Sequence, residues 1–404
     1  MKRWFLRTLK FGVIALVSIA VLAAVWFVRQ PHLADDHAAV RSSAGSAAYE
    51  SAMGASRDLA VAIADSLDLP SLSLAAAVNG EVVWIASLGH QDMKAETPAG
   101  PGTLYRTGSI AKAITSVVLG RAVDAGQVDL DRTVGSYLGE RAGAAGEATL
   151  RQLAGHQGGV RHYVLDDFGT AWSEQFSQRH WDDAQEALEL FADDPTLFDP
   201  GTDFHYSTHG YTLLSAVLEE ATGQNFLDLL DADVAGPLGL TGTGPDDVRA
   251  PAPERATTYV RLRDRYVDPF QVDPSYKWAG GGLLSTPTDL VTLAASLMDG
   301  TAVQPETLRD LWRPQPLADG RMNPQNYAMG WRIDPPSDVF GTPEPLRAVH
   351  HGGSIVGGSS FLLLIPERDV AVAVMTNLSL TGDGGSRLRA AAYRMAATFL
   401  EIQG

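Results

Sequence analysis

The strongest chemical signal in this sequence is the run YRTGSIAK at residues 105–112. Ser109 stands directly before an apolar stretch, residues 110–123, whose pattern predicts a helix. Because Ser109 and Lys112 are three positions apart, they share one face of that helix, and the ammonium can reach the hydroxyl. The start of the helix also offers free N–H groups and a positive partial charge to an oxyanion. The run therefore indicates a serine nucleophile that a lysine activates.

A structural interpretation of Ser109 stays open, because serine is also one of the preferred N-cap residues of helices. Two observations favour the catalytic hypothesis. The five lysines of the chain stand at positions 2, 10, 94, 112 and 277, and only Lys112 has a serine three residues before it. Lys112 also lies in an otherwise apolar helix, where an unpaired ammonium would cost several kcal/mol.

Two later motifs extend the pattern, YST at residues 206–208 and HGG at residues 351–353. Together with Ser109 and Lys112 they resemble, in order and spacing, the three motifs of the serine β-lactamase-related and penicillin-binding-protein-like family. Further stretches that resemble this family are 150–159, 199–201 and 279–286. Three more stretches resemble bacterial relatives of the mitochondrial serine β-lactamase-like protein: 159–163, 210–214 and 275–282. The similarity covers about residues 49–404.

The resemblance implies an acyl-enzyme on Ser109, with Lys112 and Tyr206 acting together as the general base. A phenol has an ordinary pKa of about 10 and is a poor base at neutral pH, but a nearby ammonium lowers that pKa. Which of the two groups takes the Ser109 proton stays open from sequence. Without the other motifs, Tyr206 would be interpreted as a core aromatic before a helix.

The resemblance also implies a set of binding residues. It places the oxyanion hole at the backbone N–H groups of Ser109 and Ser354. For substrate binding, the resemblance implies four residues: His351, Gly353, Ser354 and Thr208. His351, rather than the adjacent His350, fits the His-x-Gly frame of the family, although taken alone it would be interpreted as a loop histidine. No metal ligand set and no cofactor is predicted, because this chemistry needs only side chains and water.

Two departures from the better-known members bear on activity. His351 stands where those proteins often have lysine, and an imidazole holds a substrate carboxylate less firmly than a permanent cation does. Thr208 stands where they have asparagine, so the amide that would bind an acylamino group is missing. We therefore expect a peptidase or esterase with weak or no β-lactamase activity. The alternatives are a catalytically weak, membrane-tethered scaffold and a penicillin-binding sensor with the same fold.

The distribution of strand and helix patterns predicts an α+β fold of three layers, β-lactamase/DD-peptidase-like, with helices flanking an antiparallel sheet. Asn79-Gly80 suits a type I′ hairpin turn between two strands. The predicted strands near the two chain ends are 72–78, 81–87, 360–365 and 370–377. The two ends should therefore build one sheet, with a mostly helical lobe inserted at about residues 140–275.

The beginning of the chain predicts a membrane anchor. Residues 11–28 carry no charge, and as a helix they would span roughly 27 Å of a hydrocarbon core of ~30 Å. The predicted segments are a cytoplasmic basic tail (1–10), a transmembrane signal-anchor (11–28), a linker (29–46) and a serine hydrolase domain (47–404). The positive-inside rule then predicts a single-pass protein of the inner membrane, with its catalytic domain in the periplasm or outside the cell. A cleaved signal peptide is the alternative, but no clear A-x-A site follows the apolar run.

Charge and composition restrict the partners. The formal net charge is −17, and so acidic a protein repels phosphate backbones, which argues against nucleic-acid binding. The chain has no cysteine, which excludes disulfides, thiolate nucleophiles and Cys-based metal sites. The predicted partners are a small-molecule or peptide substrate and, through the N-terminal helix, the membrane. Self-association is not predicted.

Overall fold

The computed structural model describes residues 18–32, 40–163, 174 and 176–402. Its strands are β1 (Val40–Gly45), β2 (Ser71–Val78), β3 (Glu81–Asp92), β4 (Thr97–Pro98), β5 (Tyr105–Arg106), β6 (Gly244–Pro245), β7 (Val260–Leu262), β8 (Arg265–Val267), β9 (Leu283–Ser285), β10 (Arg332–Ser337), β11 (Leu346–Ile355), β12 (Gly358–Ile365) and β13 (Val370–Thr376).

The α-helices of the described ranges begin with a segment at residues 18–28, named α1. The others are α2 (Glu50–Leu67), α3 (Ile110–Asp124), α4 (Gly135–Leu138), α5 (Leu150–Ala154), α6 (Ala184–Ala187), α7 (Thr208–Thr222), α8 (Phe226–Leu229), α9 (Gly236–Leu238), α10 (Trp278–Gly281), α11 (Pro287–Met298), α12 (Pro305–Leu311) and α13 (Gly384–Leu400). Short 3-10 turns lie at Ala47–Tyr49, Gly139–Ala145, Leu188–Leu190, Ser275–Lys277 and Pro366–Arg368, and a π-helical turn lies at Leu230–Ala235.

The main sheet joins the two ends of the chain. Its strand order is β1-β3-β2-β13-β12-β11-β10, and each neighbouring pair is antiparallel. The first three strands come from the N-terminal part and the other four from the C-terminal part, so β2 and β13 meet at the centre. The β2–β3 turn has the predicted conformation, since Asn79 and Gly80 have φ angles of 52° and 81°.

Helices cover both faces of this sheet. Leu74 and Ala76 of β2 belong to the core that α2 and α13 close, whereas Ala75 and Ala77 belong to the core that α3 and α11 close. Successive side chains of a strand point to opposite faces, so the two cores lie on opposite sides of the sheet. The predicted α+β fold of three layers is therefore confirmed.

The segment between α3 and β9 supplies the helical lobe, in which α7 packs against α3, α5 and α10. The side chain of Ser207 accepts the N–H of Gly210 and so caps the N-terminus of α7. Gly223 ends the helix in the left-handed conformation, with φ 69°. These two ends fix the register of α7, and with it the position of the YST motif beside α3.

One prediction about the N-terminus is wrong. In the part of the chain that the structure describes, no helix is both long and apolar enough to cross a membrane. Of the predicted span, the structure describes residues 18–28, which are helical. This finding contradicts the single-pass location in the inner membrane. Residues 1–17, which hold the predicted basic tail and the first part of the predicted span, lie outside the described residues.

The predicted linker also contains regular structure. Val40–Gly45 forms β1, which pairs with β3 at the edge of the sheet. Arg265 Nη1 donates to the carbonyls of Val28 at 2.9 Å and Gln30 at 2.5 Å, and so holds the end of α1 against β8. An edge strand is held mainly by backbone hydrogen bonds. The sequence of β1, VRSSAG, is mostly polar and lacks the apolar alternation from which a strand is predicted.

Candidate active site

Ser109 and Lys112 meet at the N-terminus of α3. Ser109 occupies the N-cap position, yet its side chain makes no capping hydrogen bond. Lys112 Nζ instead donates to Ser109 Oγ at 3.3 Å, and the lysine side chain is fully buried. The structural interpretation of Ser109 as an N-cap is thus not supported, and the hydroxyl faces the group that could activate it.

Two further oxygen atoms hold the Lys112 ammonium. Nζ donates to the carbonyl of Gly280 at 2.6 Å and to Thr208 Oγ1 at 3.2 Å, so α10 and α7 fix it from two sides. Burial lowers the pKa of Lys112 well below its ordinary value, and the positive charges of Lys277 and Arg332 lower it further. The neutral amine, which is the basic form, is therefore accessible in this site.

Tyr206 lies over the same lysine. Lys112 Nζ is 4.7 Å from the centre of the Tyr206 ring. Burial raises the pKa of Tyr206 to about 12, although the charge of Arg332 and the nearby Ser109 hydroxyl act in the opposite direction. At neutral pH the phenol therefore keeps its proton, and it suits a proton donor better than a first base.

The end of β11 lies against the backbone of Thr107 and Gly108. A Cβ on Gly108, which has φ 51°, would lie 2.7 Å from the backbone nitrogen of Ser354. A Cβ on Gly353 would lie 1.9 Å from the carbonyl oxygen of Thr107. Both glycines are required for this close approach. It also brings the backbone nitrogen of Ser354 close to Gly108, the residue directly before Ser109.

His351 lies behind the wall of the site. Its side chain is fully buried, and Nδ1 is 2.8 Å from the carbonyl oxygen of Gly352, which accepts the Nδ1 proton. Nε2 is then the acceptor, 3.1 Å from the hydroxyl of Tyr327 and 3.2 Å from Nη1 of Arg332. Burial lowers the pKa of His351 well below its ordinary value, and the charges of Arg332 and Lys112 add to the effect. The ring is neutral, so it provides no cation for a substrate.

Arg332 provides a cation at that position. A cavity of about 530 Å³ opens at Ser109, and its wall contains Tyr206, Arg332, Gly353 and Ser354. Arg332 donates to Gln325 Oε1 at 2.7 Å and to His351, and its guanidinium lies 5.3 Å from the centre of the Tyr206 ring. Among the described residues no carboxylate forms an ion pair with it, so its charge faces the cavity.

The similarity to known proteins agrees with this geometry. A sequence profile of the β-lactamase family matches residues 57–395. The chain belongs to the β-lactamase family. It is 29% identical to the human mitochondrial serine β-lactamase-like protein LACTB, over 85% of this chain and 80% of that protein. It is 26% identical to esterase EstB of Burkholderia gladioli, over 76% of this chain and 86% of the esterase.

Solved structures of the family agree on the fold. The D-amino acid amidase from Ochrobactrum anthropi SV3 superposes with a TM-score of 0.71 at 22% identity, over 86% of this chain and 100% of the amidase. At that identity the likeness shows the fold alone. Membership of the β-lactamase family makes this chain a serine hydrolase.

The structure brings the sequence motifs of this β-lactamase family member close to one another around Ser109. Ser109, Lys112, Tyr206 and Thr208 lie together, and Gly353 and Ser354 line the same cavity. His351 is next to the site but does not line the cavity. Their chemical roles remain predictions.

Sequence reasoning missed Arg332 and Lys277. Arg332 lies outside the three motifs and comes close to Tyr206 only because β10 pairs with β11. Lys277 could have been found, because the scarcity of lysine that singled out Lys112 applies to it as well.

Proposed function

We propose that this protein hydrolyses amides or esters through an acyl-enzyme on Ser109, and that its substrates are peptides or small esters rather than β-lactams. The observation that carries the proposal is the fully buried amine of Lys112, 3.3 Å from Ser109 Oγ. Burial lowers the pKa of Lys112 and so favours the neutral amine, which is the form that can take the Ser109 proton.

The residues suggest one order of proton transfers. Neutral Lys112 takes the proton of Ser109 as Oγ attacks the substrate carbonyl, and the N–H groups of Ser109 and Ser354 bind the resulting oxyanion. Tyr206 then gives its proton to the leaving amine or alkoxide, and the Lys112 ammonium returns a proton to the phenol. Water attacks the ester carbonyl of the acyl-enzyme by the same transfers, which releases the acid and restores Ser109.

The preference against β-lactams rests on Thr208 and His351. Thr208 Oγ1 is engaged with the Lys112 ammonium and has no amide to offer an acylamino group. His351 is neutral and buried, so it does not replace the lysine of the better-known enzymes. Relatives named as an esterase and as a D-aminopeptidase support an amide or ester substrate.

A substrate panel on the purified full chain tests the proposal. We expect turnover of p-nitrophenyl butyrate and of amino-acid p-nitroanilides, and much slower turnover of a chromogenic cephalosporin. A cephalosporin hydrolysed as fast as the ester would contradict the preference against β-lactams. Rapid acylation by penicillin without release would favour the penicillin-binding sensor, and no turnover of any substrate would favour the scaffold.

Arg332 leads to a prediction about binding. We propose that its guanidinium holds a carboxylate on the leaving-group side, because it lies beside Tyr206, the proton donor to that group. Arg332→Gln should raise KM for substrates with a free C-terminal carboxylate at least about tenfold relative to their C-terminal amides. Arg389→Gln is the matched control, since Arg389 lines the same cavity but is paired with Asp334 at 2.5 Å. Equal changes in the two variants would contradict the assignment.

A further inference from the structure

His156 follows helix α5 in a backbone conformation that is most common for glycine. Its N–H donates to the carbonyl of Leu153 at 3.1 Å, and the next N–H, that of Gln157, donates to the carbonyl of Gln152 at 2.7 Å. This is the Schellman pattern, in which the residue after the C-cap is left-handed and is usually glycine. His156 has φ 62°, so a bulky side chain stands here at a steric cost.

The imidazole of His156 is buried among aromatic side chains. The residue is 2% exposed, and its ring centre lies 4.3 Å from that of Tyr206 and 4.5 Å from that of Tyr327. Burial and the nearby charge of Lys112 lower the pKa of His156 well below its ordinary value, so the ring is neutral. Nε2 has no hydrogen-bond partner among the described residues. A side chain that only filled this space would need neither the left-handed backbone nor a buried nitrogen without a partner.

His156 holds the chain on both sides of Tyr206. Its carbonyl accepts the N–H of His205 at 2.9 Å, and Nδ1 of its ring accepts the N–H of Ser207 at 3.2 Å. The imidazole itself lies against the Tyr206 ring. One residue therefore contacts the backbone before and after Tyr206 and the ring between them.

Tyr206 depends on such contacts for its orientation. Residues 204–207 belong to no helix or strand, and α7 begins only at Thr208. His156, in contrast, is tied to the end of α5 by the two hydrogen bonds of the Schellman pattern. The end of α5 thus provides a fixed support for the phenol, which hydrogen bonds within 204–207 alone would not give.

We propose that His156 is a positioning residue, which holds the Tyr206 hydroxyl where it can give its proton to the leaving group. The inference rests on the proposed function, in which Tyr206 is that donor. It also assigns a role to one residue of the stretch 150–159, which the proposed proton transfers do not use. His156 does not line the cavity at Ser109, so it acts through Tyr206. A catalytic group displaced by about 1 Å can lose on the order of 10²-fold in rate.

Two esters of one acid test this on the full chain. p-Nitrophenolate is a stable anion at neutral pH and leaves without a proton, whereas ethoxide needs one, so ethyl butyrate depends far more on the Tyr206 donor. In His156→Gly we expect kcat/KM, which reports the steps up to acylation, to fall at least about tenfold for ethyl butyrate and less than about threefold for p-nitrophenyl butyrate. Glycine suits the left-handed conformation, so the end of α5 should persist. Equal losses on the two esters would overturn the inference.

A double-mutant cycle shows whether His156 acts through Tyr206. Tyr206→Phe removes the phenolic proton. In that background, His156→Gly should lower kcat/KM for ethyl butyrate by no more than about twofold, because the group that it misplaces is already absent. A further loss as large as in the wild-type background would overturn the inference, since a general loss of structure does not require the phenol.

Two more variants separate the hydrogen bond from packing. His156→Asn tolerates the left-handed conformation, and its Oδ1 can accept the Ser207 N–H in place of Nδ1, so it should bring the ratio of the two esters back towards wild type. Phe204→Leu is the matched control, because Phe204 packs edge-on against His156 at 5.9 Å. It should leave the ratio unchanged.

Folding of each variant is checked by thermal unfolding, followed by circular dichroism. If His156→Gly does not fold, His156→Phe takes its place in both tests, because phenylalanine fills the space of the ring and offers no acceptor. The same outcomes then decide. A folded wild-type protein that hydrolyses neither ester and forms no fluorophosphonate adduct on Ser109 would overturn the proposed function, and the inference with it.

Discussion

Replacement of Lys112 with methionine should lower kcat/KM about 10²- to 10⁴-fold, the usual contribution of a positioned general base. The side chain is fully buried and keeps Nζ 3.3 Å from Ser109 Oγ, so the substitution removes the amine that we propose takes the Ser109 proton. Methionine fills a similar volume, and the loss of a buried charge offsets part of the lost hydrogen bonds. The variant should therefore keep a cooperative thermal unfolding transition.

Lys112→Arg distinguishes two roles of Lys112, that of a general base and that of a buried structural cation. Arginine keeps the charge and the donors, but its guanidinium does not lose its proton in proteins, so it offers no neutral form. We expect it to be as inactive as Lys112→Met. In wild-type protein kcat/KM should rise with pH through the lowered pKa of Lys112, because the basic form appears above that pKa.

Thr115→Val is the matched control on α3. Thr115 is buried in the same helix and donates to the carbonyl of Ala279 at 2.8 Å, without contacting Ser109. It should lose some stability but keep nearly wild-type kcat/KM. Activity of Lys112→Met within tenfold of wild type would show that another group activates Ser109.

Gly353→Ala should lower kcat at least about 10²-fold, because it would displace the Ser354 N–H, which we propose as a donor of the oxyanion hole. The new Cβ would lie 1.9 Å from the carbonyl oxygen of Thr107 and 2.2 Å from Ser360 Oγ. No real contact is that short, so either β11 or the backbone before Ser109 must move. Since Ser354 follows directly, its N–H moves away from the position that the developing oxyanion would occupy.

The neighbouring glycine provides the control. A Cβ on Gly352 would have its nearest contact at 3.4 Å, with the ring of Phe361, which is an ordinary van der Waals distance. Gly352→Ala should therefore retain close to wild-type kcat and thermal stability. Steady-state kinetics on p-nitrophenyl butyrate, with circular dichroism of both variants, measures the difference. Similar kcat values for the two variants would refute the assigned oxyanion geometry.

The motifs that the sequence predicted well are those that local geometry fixes. Ser109 and Lys112 lie one turn apart on a helix whose apolar pattern is unmistakable, so their contact follows from helical spacing. The Asn79-Gly80 turn follows from the same kind of local rule. The meeting of both chain ends in one sheet was inferred from strand patterns at each end and from the family resemblance.

The features that the sequence did not predict are those that depend on long-range packing. Nothing local to His351 shows that its ring turns into the protein, nor that β10 places Arg332 beside it. The edge strand β1 depends on pairing with β3 and has little pattern of its own. Hydropathy alone predicts a membrane span at residues 11–28, whereas among the described residues no helix is long and apolar enough to cross a membrane.

The central claim is that Ser109 is an activated nucleophile, and intact-mass spectrometry of the full chain tests it most directly. The protein is treated with a fluorophosphonate, and separately with a penicillin, with Ser109→Ala in parallel. We predict one fluorophosphonate adduct on the wild-type protein, none on the variant, and little or no penicillin adduct at steady state. A folded wild-type protein without any adduct, or an adduct that persists in Ser109→Ala, would contradict the claim.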